Sequence, residues 1–263
     1  MKTVGWIIQQ MEEWAPISLA EEWDNCGLLI GDPKAPFKKI LAALDVTDEV
    51  ISEAIAGGFD FIISHHPLIY NPVKRVIADD SGGRKILTLI KHGIGCYCAH
   101  TNLDKAIGGV NDCLAERLGI ENLTPLMEED SNADPVGIGR VGELPEVMTL
   151  SQLASHVKNS LNLPEIRYAG DPIAKIKTVG LCGGDGSGER YLKAAAKKGC
   201  EAYITGDLRY HAVQEALELG LNLLDITHYS SEVLIVDAIV RRLSQKGAEI
   251  HATRTKGQVL LTM

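Results

Sequence analysis

Six short apolar runs rich in Val, Ile and Leu alternate along this chain with segments of helical period, and this alternation restricts the fold more than any other feature. The runs are ILAALDV from Ile40, FDFIISHH from Phe59, IGCYCAH from Ile94, IKTVGLCGG from Ile176, EAYITGD from Glu201 and LNLLDITH from Leu221. The helix candidates are residues 47–57, 84–92, 108–118, 150–161, 188–198, 209–219 and 230–245. The pattern predicts an α/β protein with mainly parallel sheets covered by helices.

The length of 263 residues suits two domains of modest size. The stretch TPLMEEDSNADP, residues 124–135, is acidic and polar, contains two prolines, and has neither the helical nor the strand period. Strands and helices alternate on both sides of it. We therefore predict a domain boundary in this stretch.

The charge balance excludes general nucleic-acid binding, because 26 Lys and Arg against 35 Asp and Glu give a net charge of −9, which repels a phosphate backbone. No apolar run approaches the roughly 20 residues that cross a bilayer. The first apolar stretch is too short for a signal peptide, so we expect no membrane association and a cytoplasmic location. The six cysteines are scattered through apolar segments, which indicates reduced core thiols, with metal binding by Cys96 and Cys98 as the alternative.

Ionisable residues follow directly after several of the predicted strands. The carboxyl ends of parallel strands are where ligands gather, because the loops there converge on one crevice. The residues at these positions are Asp45, His65, His66, His100, Asp207 and His228, with Asp104 soon after His100. His65 and His66 precede Pro67, which favours extended backbone just before it. The pair either binds metal, through a turn or through two adjacent ions, or places one histidine in solvent and one in the core.

Two further pairs of residues are four positions apart. His228 and Glu232 would share one side of a helix that begins early enough, with Ser230 or Ser231 as its cap, although an acidic residue in a first turn also simply complements the helix dipole. His100 and Asp104 belong to HTNLD, where Asp104 is a metal ligand, a turn former or a helix cap.

Three histidines and two carboxylates at strand ends together match the ligand set of two-metal hydrolases, namely His65, His66, His228, Asp104 and Glu232. Mixed nitrogen and oxygen ligands suit zinc, iron or manganese and argue against calcium. Elsewhere, GGDGSG at residues 183–188 lies between a strand and a helix. Its backbone amides either cradle an anion or belong to a plain tight turn.

Several motifs, in their order along the chain, resemble the Nif-three-like family, whose members are often named GTP cyclohydrolase I type 2 homologues. The motifs are EEWDNCGLLIGD, DVTDEV, SHHPLIY, HTNLDKAIGGVND, ITGDLRYH and HYSSE. The resemblance implies a dinuclear centre of two divalent transition-metal ions in each chain, with Glu232 as the bridging ligand. The implied ligands are His65, His66, Asp104, His228 and Glu232. It also implies a ring-shaped homohexamer with the metal sites facing an internal cavity.

The same resemblance implies two α/β domains, with the metal site at the strand carboxyl ends between them. We expect a first domain of residues 1–125 plus 229–263, which carries most of the ligands and is completed by the C-terminal helix. The second domain would be residues 126–228. The short distance from HTNLD to HYSSE indicates the form of the family without an inserted domain.

The leading functional hypothesis is a metal-dependent hydrolase that acts on a small nucleotide-like or phosphorylated substrate, with GTP cyclohydrolase-like chemistry as one form of it. His100 or His211 would shuttle protons or orient a metal ligand. The alternative is a non-enzymatic metal-binding regulatory or scaffold protein that forms a ring. Five protein ligands for two ions leave coordination positions open, which favours the enzyme.

Overall fold

Two β-sheets, each flanked by helices, organise residues 2–128 and 136–259, the part of the chain that the computed structural model describes. The chain divides into two compact units, of which the first is Met1–Ala106 with Ile235–Gly257 and the second is Ile107–Leu234 with Gln258–Met263. The predicted α/β class with two sheets is confirmed.

The elements of the first unit begin with a helix and end with a strand that returns from the C-terminal part of the chain. In chain order they start with α1 (Val4–Glu12), a 3-10 turn (Ile17–Leu19), β1 (Gly27–Ile30), β2 (Lys39–Ala43), α2 (Asp48–Gly57), β3 (Phe61–Ser64), α3 (Ser81–Lys91), β4 (Gly95–Cys98) and α4 (Thr101–Lys105). The elements of the second unit follow, namely α5 (Val110–Leu118), β5 (Glu121–Glu128), β6 (Gly137–Thr149), α6 (Leu150–Ser160), β7 (Arg167–Ala169), β8 (Lys175–Cys182), α7 (Glu189–Lys197), β9 (Ala202–Thr205), α8 (Tyr210–Glu218), β10 (Asn222–Asp225) and α9 (His228–Glu232). The last two elements are α10 (Leu234–Gln245) and β11 (Glu249–Ala252).

The sheet of the first unit has the order β1-β4-β3-β2-β11, and only the β1 pairing is antiparallel. Its three central strands, β2, β3 and β4, are buried on both faces, which explains why they are nearly continuous aliphatic runs. The α2 helix begins where the Thr47 side chain accepts a hydrogen bond from the Val50 amide. Leu41, Ile62 and Leu89 pack in the core beneath this helix.

The sheet of the second unit has the order β5-β6-β8-β9-β10-β7 and is mixed. Parallel pairing is confined to β8, β9 and β10, and the outer strands run antiparallel to their neighbours. The three parallel strands are those that the sequence indicated. The antiparallel strands β5, β6 and β7 were not predicted, because glycines, prolines and polar residues interrupt their alternation.

The stretch of residues 124–135, predicted as a linker at a domain boundary, is not without regular structure throughout, because residues 124–128 belong to β5. Pro125 is tolerated there because β5 is an edge strand. Residues 129–135 of the predicted linker lie outside the described residues. The predicted boundaries after residues 125 and 228 fall within β5 and α9, whereas the chain passes between the compact units after residues 106, 234 and 257. The division into two domains stays a prediction.

The helices of the described ranges, residues 2–128 and 136–259, include none with both the length and the apolar character needed to cross a membrane.

Candidate metal centre

His65 and His66 lie together just beyond the carboxyl end of β3. This strand runs parallel to β2 and β4 on either side, and the backbone amides of the two histidines still bond to the β2 segment, at Ala43 O (3.2 Å) and Leu44 O (2.9 Å). Their ring centroids are 5.0 Å apart. The chain therefore turns as β3 ends, which is the geometry that allows two consecutive histidines to serve one site.

His100 joins this pair from the end of β4. Its ring centroid lies 5.2 Å from that of His65 and 5.6 Å from that of His66. One ring nitrogen from each of the three histidines falls within a group whose atoms are no more than 4.8 Å apart. Asp104 in α4 places Oδ1 3.6 Å from Nε2 of the fully buried His65. The first unit thus collects three imidazoles and a carboxylate at one edge of its sheet.

The Nδ1 atoms of His65 and His66 are already committed to oxygen acceptors. Nδ1 of His65 lies 2.9 Å from the carbonyl oxygen of Ala99, and Nδ1 of His66 lies 2.7 Å from Oδ1 of Asp45. A carbonyl or an ionised carboxylate can only accept, so Nδ1 carries the proton in each ring. The lone pair of each neutral imidazole is therefore on Nε2, which is how metal-binding histidines are usually oriented.

Asp24 does the same for His100, and sequence reasoning did not single it out. Its carboxylate accepts hydrogen bonds from Nδ1 of His100 (2.9 Å) and from the amide (3.0 Å) and hydroxyl (2.5 Å) of Thr101. Burial raises the pKa of Asp24, but the hydrogen bonds from His100 and Thr101 outweigh it and hold that pKa well below its usual range. Asp24 is thus an ionised acceptor at neutral pH. It follows no predicted strand, so only its place in EEWDNCGLLIGD marked it.

In the second unit, His228 and Glu232 lie on one side of α9, which begins at His228. Nδ1 of His228 is 2.8 Å from Oδ2 of Asp207, and its Nε2 is 3.0 Å from Oε2 of Glu232. The prediction that Ser230 or Ser231 caps this helix is wrong, because the residue before the first turn is Thr227. The predicted helix over residues 230–245 is in fact two helices, α9 and α10.

The donor set fits divalent transition metals. Because Nδ1 of His228 donates to Asp207, its Nε2 lone pair faces a carboxylate oxygen of Glu232, and two acceptors at 3.0 Å repel unless a proton or a cation lies between them. Ligand atoms bound at about 2.0–2.2 Å to one zinc ion lie roughly 3 Å apart. Glu232 is also almost fully buried, which is costly for a carboxylate without a compensating positive charge.

Backbone strain accompanies these residues in the second unit. Thr227 and Asp207 have φ angles of 65° and 51°, in the left-handed region that non-glycine residues rarely adopt. Such strain often occurs at functional sites. Gly184, itself at φ 65°, lets Glu232 approach so closely that a Cβ at position 184 would lie 2.3 Å from Oε1 of Glu232.

Three glycine amides of the GGDGSG loop donate hydrogen bonds within the protein. The amide of Gly183 donates to Asn111 Oδ1 (2.9 Å) and that of Gly184 to Ser231 Oγ (2.9 Å). The amide of Gly186 donates to the Thr205 hydroxyl at 3.0 Å. These three donors are therefore committed within the protein, and the bond to Ser231 ties the loop to the helix that carries Glu232.

His211, the other predicted proton shuttle, is an exposed residue in the first turn of α8. Its Nδ1 lies 3.1 Å from Oε1 of Gln214 in the same helix, and its ring contacts that of Tyr210. Its partner belongs to its own helix, whereas the acceptors of His65, His66, His100 and His228 come from other segments of the chain.

Comparisons with known proteins give the family. The sequence profile described as Duf34/NIF3 (NGG1p interacting factor 3) matches residues 2–257. A Clostridium perfringens protein named GTP cyclohydrolase 1 type 2 homolog is 41% identical over 240 residues, covering 91% of this chain and 90% of that protein. A Bacillus subtilis relative of the same name is 30% identical over an alignment of 342 residues that covers 90% of this chain and 91% of that protein. That relative carries a large additional segment, so this chain is the shorter form.

Solved structures agree with the sequence relatives. The structure described as a Bacillus cereus protein related to NIF3 has a TM-score of 0.91 at 30% identity, covering 99% of each chain. Reduced HcgD from Methanocaldococcus jannaschii has a TM-score of 0.81 at 32% identity, covering 96% of this chain and 98% of that one. With a profile match over nearly its whole length, this chain belongs to the Duf34/NIF3 family.

Proposed function

We propose that this chain is a dinuclear-metal-dependent hydrolase acting on a small nucleotide-like or phosphorylated substrate. The proposed ligands are His65, His66 and Asp104 from the first unit, with His228 and Glu232 from the second. The observation that carries the proposal is that three of these ligands are histidines with Nδ1 bonded to an oxygen acceptor. Side chains oriented in this way are ready to bind a cation through Nε2.

The number and type of ligands favour two ions of zinc, iron or manganese. Glu232 would bridge them, with one carboxylate oxygen for each ion, which offsets the repulsion between two nearby dications. Three imidazoles and two carboxylates do not fill the coordination shells of two metals. The open positions would admit water and substrate, as catalytic sites require.

A bound divalent metal of this kind lowers the pKa of water toward neutrality and polarises a substrate oxygen. The protein's own contribution is positioning and proton transfer. His100 lies beside His65 and His66, and the ionised Asp24 fixes its Nδ1 proton. We assign to Nε2 of His100 the transfer of a proton to or from the reacting group.

The names of the curated relatives support a nucleotide as the substrate, because the Clostridium perfringens and Streptococcus pneumoniae proteins are both called GTP cyclohydrolase 1 type 2 homologs. A GTP cyclohydrolase-like reaction would open a purine ring by hydrolysis, and the same ligand set would serve hydrolysis of a phosphate ester.

We further propose a homohexamer. Light scattering tests it, and a monomeric mass across a wide concentration range would contradict it.

Metal content and turnover, measured on the same preparations, test the enzymatic proposal. Protein purified without chelator should contain about two transition-metal ions per chain. It should convert at least one member of a panel of GTP, other nucleotides and sugar phosphates. Both properties should fall in His66→Ala and persist in His251→Ala, whose histidine is exposed on β11. Two bound ions with no turnover across the panel would favour the scaffold alternative, and absence of metal after resupply would contradict both.

A further inference from the structure

Two large aromatic side chains are exposed beside the histidine group of the first unit. Trp23 is 54% exposed and Tyr70 is 50% exposed, although aromatic residues are scarce in this chain. Their ring centroids are 6.0 Å apart with the planes inclined by 55°. The rings of Trp23 and His100 meet in an edge-to-face arrangement, with centroids 6.3 Å apart and planes inclined by 75°. The indole and the phenol thus extend the group formed by His65, His66 and His100.

The position of Trp23 is fixed by the hydrogen bonds of its neighbours in the chain. The amide of Glu21 donates to the Thr101 hydroxyl at 2.9 Å, and the carboxylate of Asp24 accepts from His100 and Thr101. Lys105 forms an ion pair with Glu21 at 3.2 Å. The backbone on both sides of Trp23 is therefore held against the segment that carries His100 and Asp104, so the indole has a defined place relative to the proposed metal ligands.

The position of Tyr70 is linked to the same segment. The side-chain amide of Asn25 donates to the carbonyl oxygen of Ile69 at 2.5 Å. This bond joins the residue two after Trp23 to the residue before Tyr70. The two rings consequently form one platform, which exists before any ligand binds.

About half of the Trp23 side chain is exposed, so packing in the core does not explain why an indole stands at this position. Aromatic side chains stack well on planar heterocycles, because every planar heterocycle offers a π-face. A side chain that is already held in place also loses little conformational freedom when the ligand binds. A second protein chain seated on the platform would shut His100 off from solvent. The location beside His100 therefore favours a small ligand over a protein partner.

We propose that Trp23 and Tyr70 form a stacking platform that binds the planar aromatic heterocycle of the substrate. The inference rests on the proposed hydrolase, and it adds the substrate class: a molecule with a nucleobase or a similar fused heterocycle, positioned next to His100. Sugar phosphates without such a ring would lack this contact.

Calorimetry on the metal-loaded full chain tests the platform without requiring turnover. The probes are GTP, guanosine, adenosine, pterin and ribose 5-phosphate. At least one of the heterocycles should bind more tightly to the parent than ribose 5-phosphate does. Trp23→Ala should weaken that binding by about tenfold or more, and Tyr70→Ala by a smaller factor, whereas Trp23→Phe should retain most of the affinity. Affinity for ribose 5-phosphate should be the same in all variants.

Tyr168→Ala is the matched control, because Tyr168 is 49% exposed but lies on β7 in the second unit. Thermal melting and metal analysis establish that each variant is folded and loaded. Unchanged heterocycle affinity in Trp23→Ala would overturn the proposal, as would a parent that binds no heterocycle better than ribose 5-phosphate. A Trp23→Ala variant that changes only the molecular mass in solution would instead assign the rings to a protein interface. If the parent binds no heterocycle preferentially but contains its full metal and turns over sugar phosphates, the stacking platform is wrong and the proposed hydrolase is still supported.

Discussion

Nε2 of His228 lies 3.0 Å from Oε2 of Glu232, one helical turn further along α9. Nδ1 of His228 donates its hydrogen to Asp207, so Nε2 of the neutral imidazole is an acceptor. The carboxylate oxygen of Glu232 is also an acceptor, and the short contact therefore joins two acceptors. Either a proton on Nε2 or a cation makes this contact favourable. The two possibilities differ in what happens when the charge of Glu232 is removed.

Replacing Glu232 with Gln keeps the size of the side chain and removes its charge. If Glu232 bridges two ions, occupancy of at least one ion should fall and hydrolytic activity should nearly vanish, because the repulsion between the ions is no longer offset. The prediction that Glu232 lies in a first turn is wrong, because it is the last residue of α9. If Glu232 binds no metal, the variant should keep its full metal content. Elemental analysis and thermal melting distinguish these results. Glu218→Gln, at an exposed position of α8, is the control.

Gly184→Ala tests how closely the loop supports Glu232. The φ angle of 65° alone should cost about 1 to 2 kcal/mol of folding stability for any residue with a Cβ. The new methyl group would also lie 2.3 Å from Oε1 of Glu232, so the carboxylate must move and metal content should fall. Gly220→Ala provides the match, because Gly220 has a φ angle of 80° with open space around its Cβ position. Equal melting temperatures and equal metal content for the two variants would contradict this role of Gly184.

The sequence predicted the parts of the fold that depend on local pattern. The long aliphatic runs became β2, β3, β4, β8, β9 and β10, because strands buried on both faces need apolar residues throughout. The edge strand β7 is largely exposed and has only three residues, so no periodicity distinguishes it from a loop. Residues Thr101–Lys105, which overlap HTNLD, form the short helix α4 rather than a turn, because the tertiary contacts of Asn102 and Lys105 stabilise five residues that local propensity would not.

In the candidate site, too, some residues could be predicted from local sequence pattern and others depend on tertiary contacts. His65, His66, His100 and His228 could be identified because each follows a buried strand, and the sheet brings the first three together. The acceptor that orients each ring depends on tertiary structure. His100 and Asp24 are 76 positions apart in sequence, and no local pattern relates them. The sequence therefore indicates candidate ligands more readily than the residues that orient them.

The cysteines should behave as two classes toward a thiol reagent. Burial raises the pKa of the Cys96 and Cys200 thiols to about 12, so neither forms a reactive thiolate near neutral pH. Cys98 and Cys182 are also buried, whereas Cys26 and Cys113 are partly exposed. We expect two reactive thiols in the native protein at pH 8 and six in denaturant, counted by a chromogenic disulfide reagent. Cys113→Ser should remove one of the two. Six rapid equivalents in the native state would contradict the assignment of core thiols.

Glu53 should make the stability of the first unit depend on acid. Burial raises its pKa, but hydrogen bonds from the Thr253 and Thr255 hydroxyls and the Arg254 amide lower it below the ordinary value of 4.5. A depressed pKa in the folded state means that the stabilisation is complete above the unfolded value and is lost as the pH falls through the folded value.

The variant Glu53→Gln should therefore be less stable than the parent by about 1 kcal/mol at pH 7. The difference should shrink as the pH is lowered from about 4.5, because the parent then loses its own charge. Urea unfolding at a series of pH values measures it. A difference that stays constant from pH 7 to pH 3 would show that the charge of Glu53 does not contribute.

Asp45 offers the sharpest test of whether histidine orientation matters for metal binding. Its Oδ1 lies 2.7 Å from Nδ1 of His66, and the carboxylate both fixes the ring and makes Nε2 more basic. Asp45→Asn keeps an acceptor oxygen but removes the charge, and its amide can also present a donor to Nδ1. We expect metal affinity to fall by about 10- to 100-fold, as measured by competition with a chelating dye.

The control for Asp45→Asn is Asp48→Asn, three residues along the chain. Asp48 pairs with Arg84 at 3.0 Å between two half-exposed side chains, so its loss should change stability little and metal affinity not at all. Identical affinities for the two variants would show that the Asp45–His66 hydrogen bond serves the fold and not the metal.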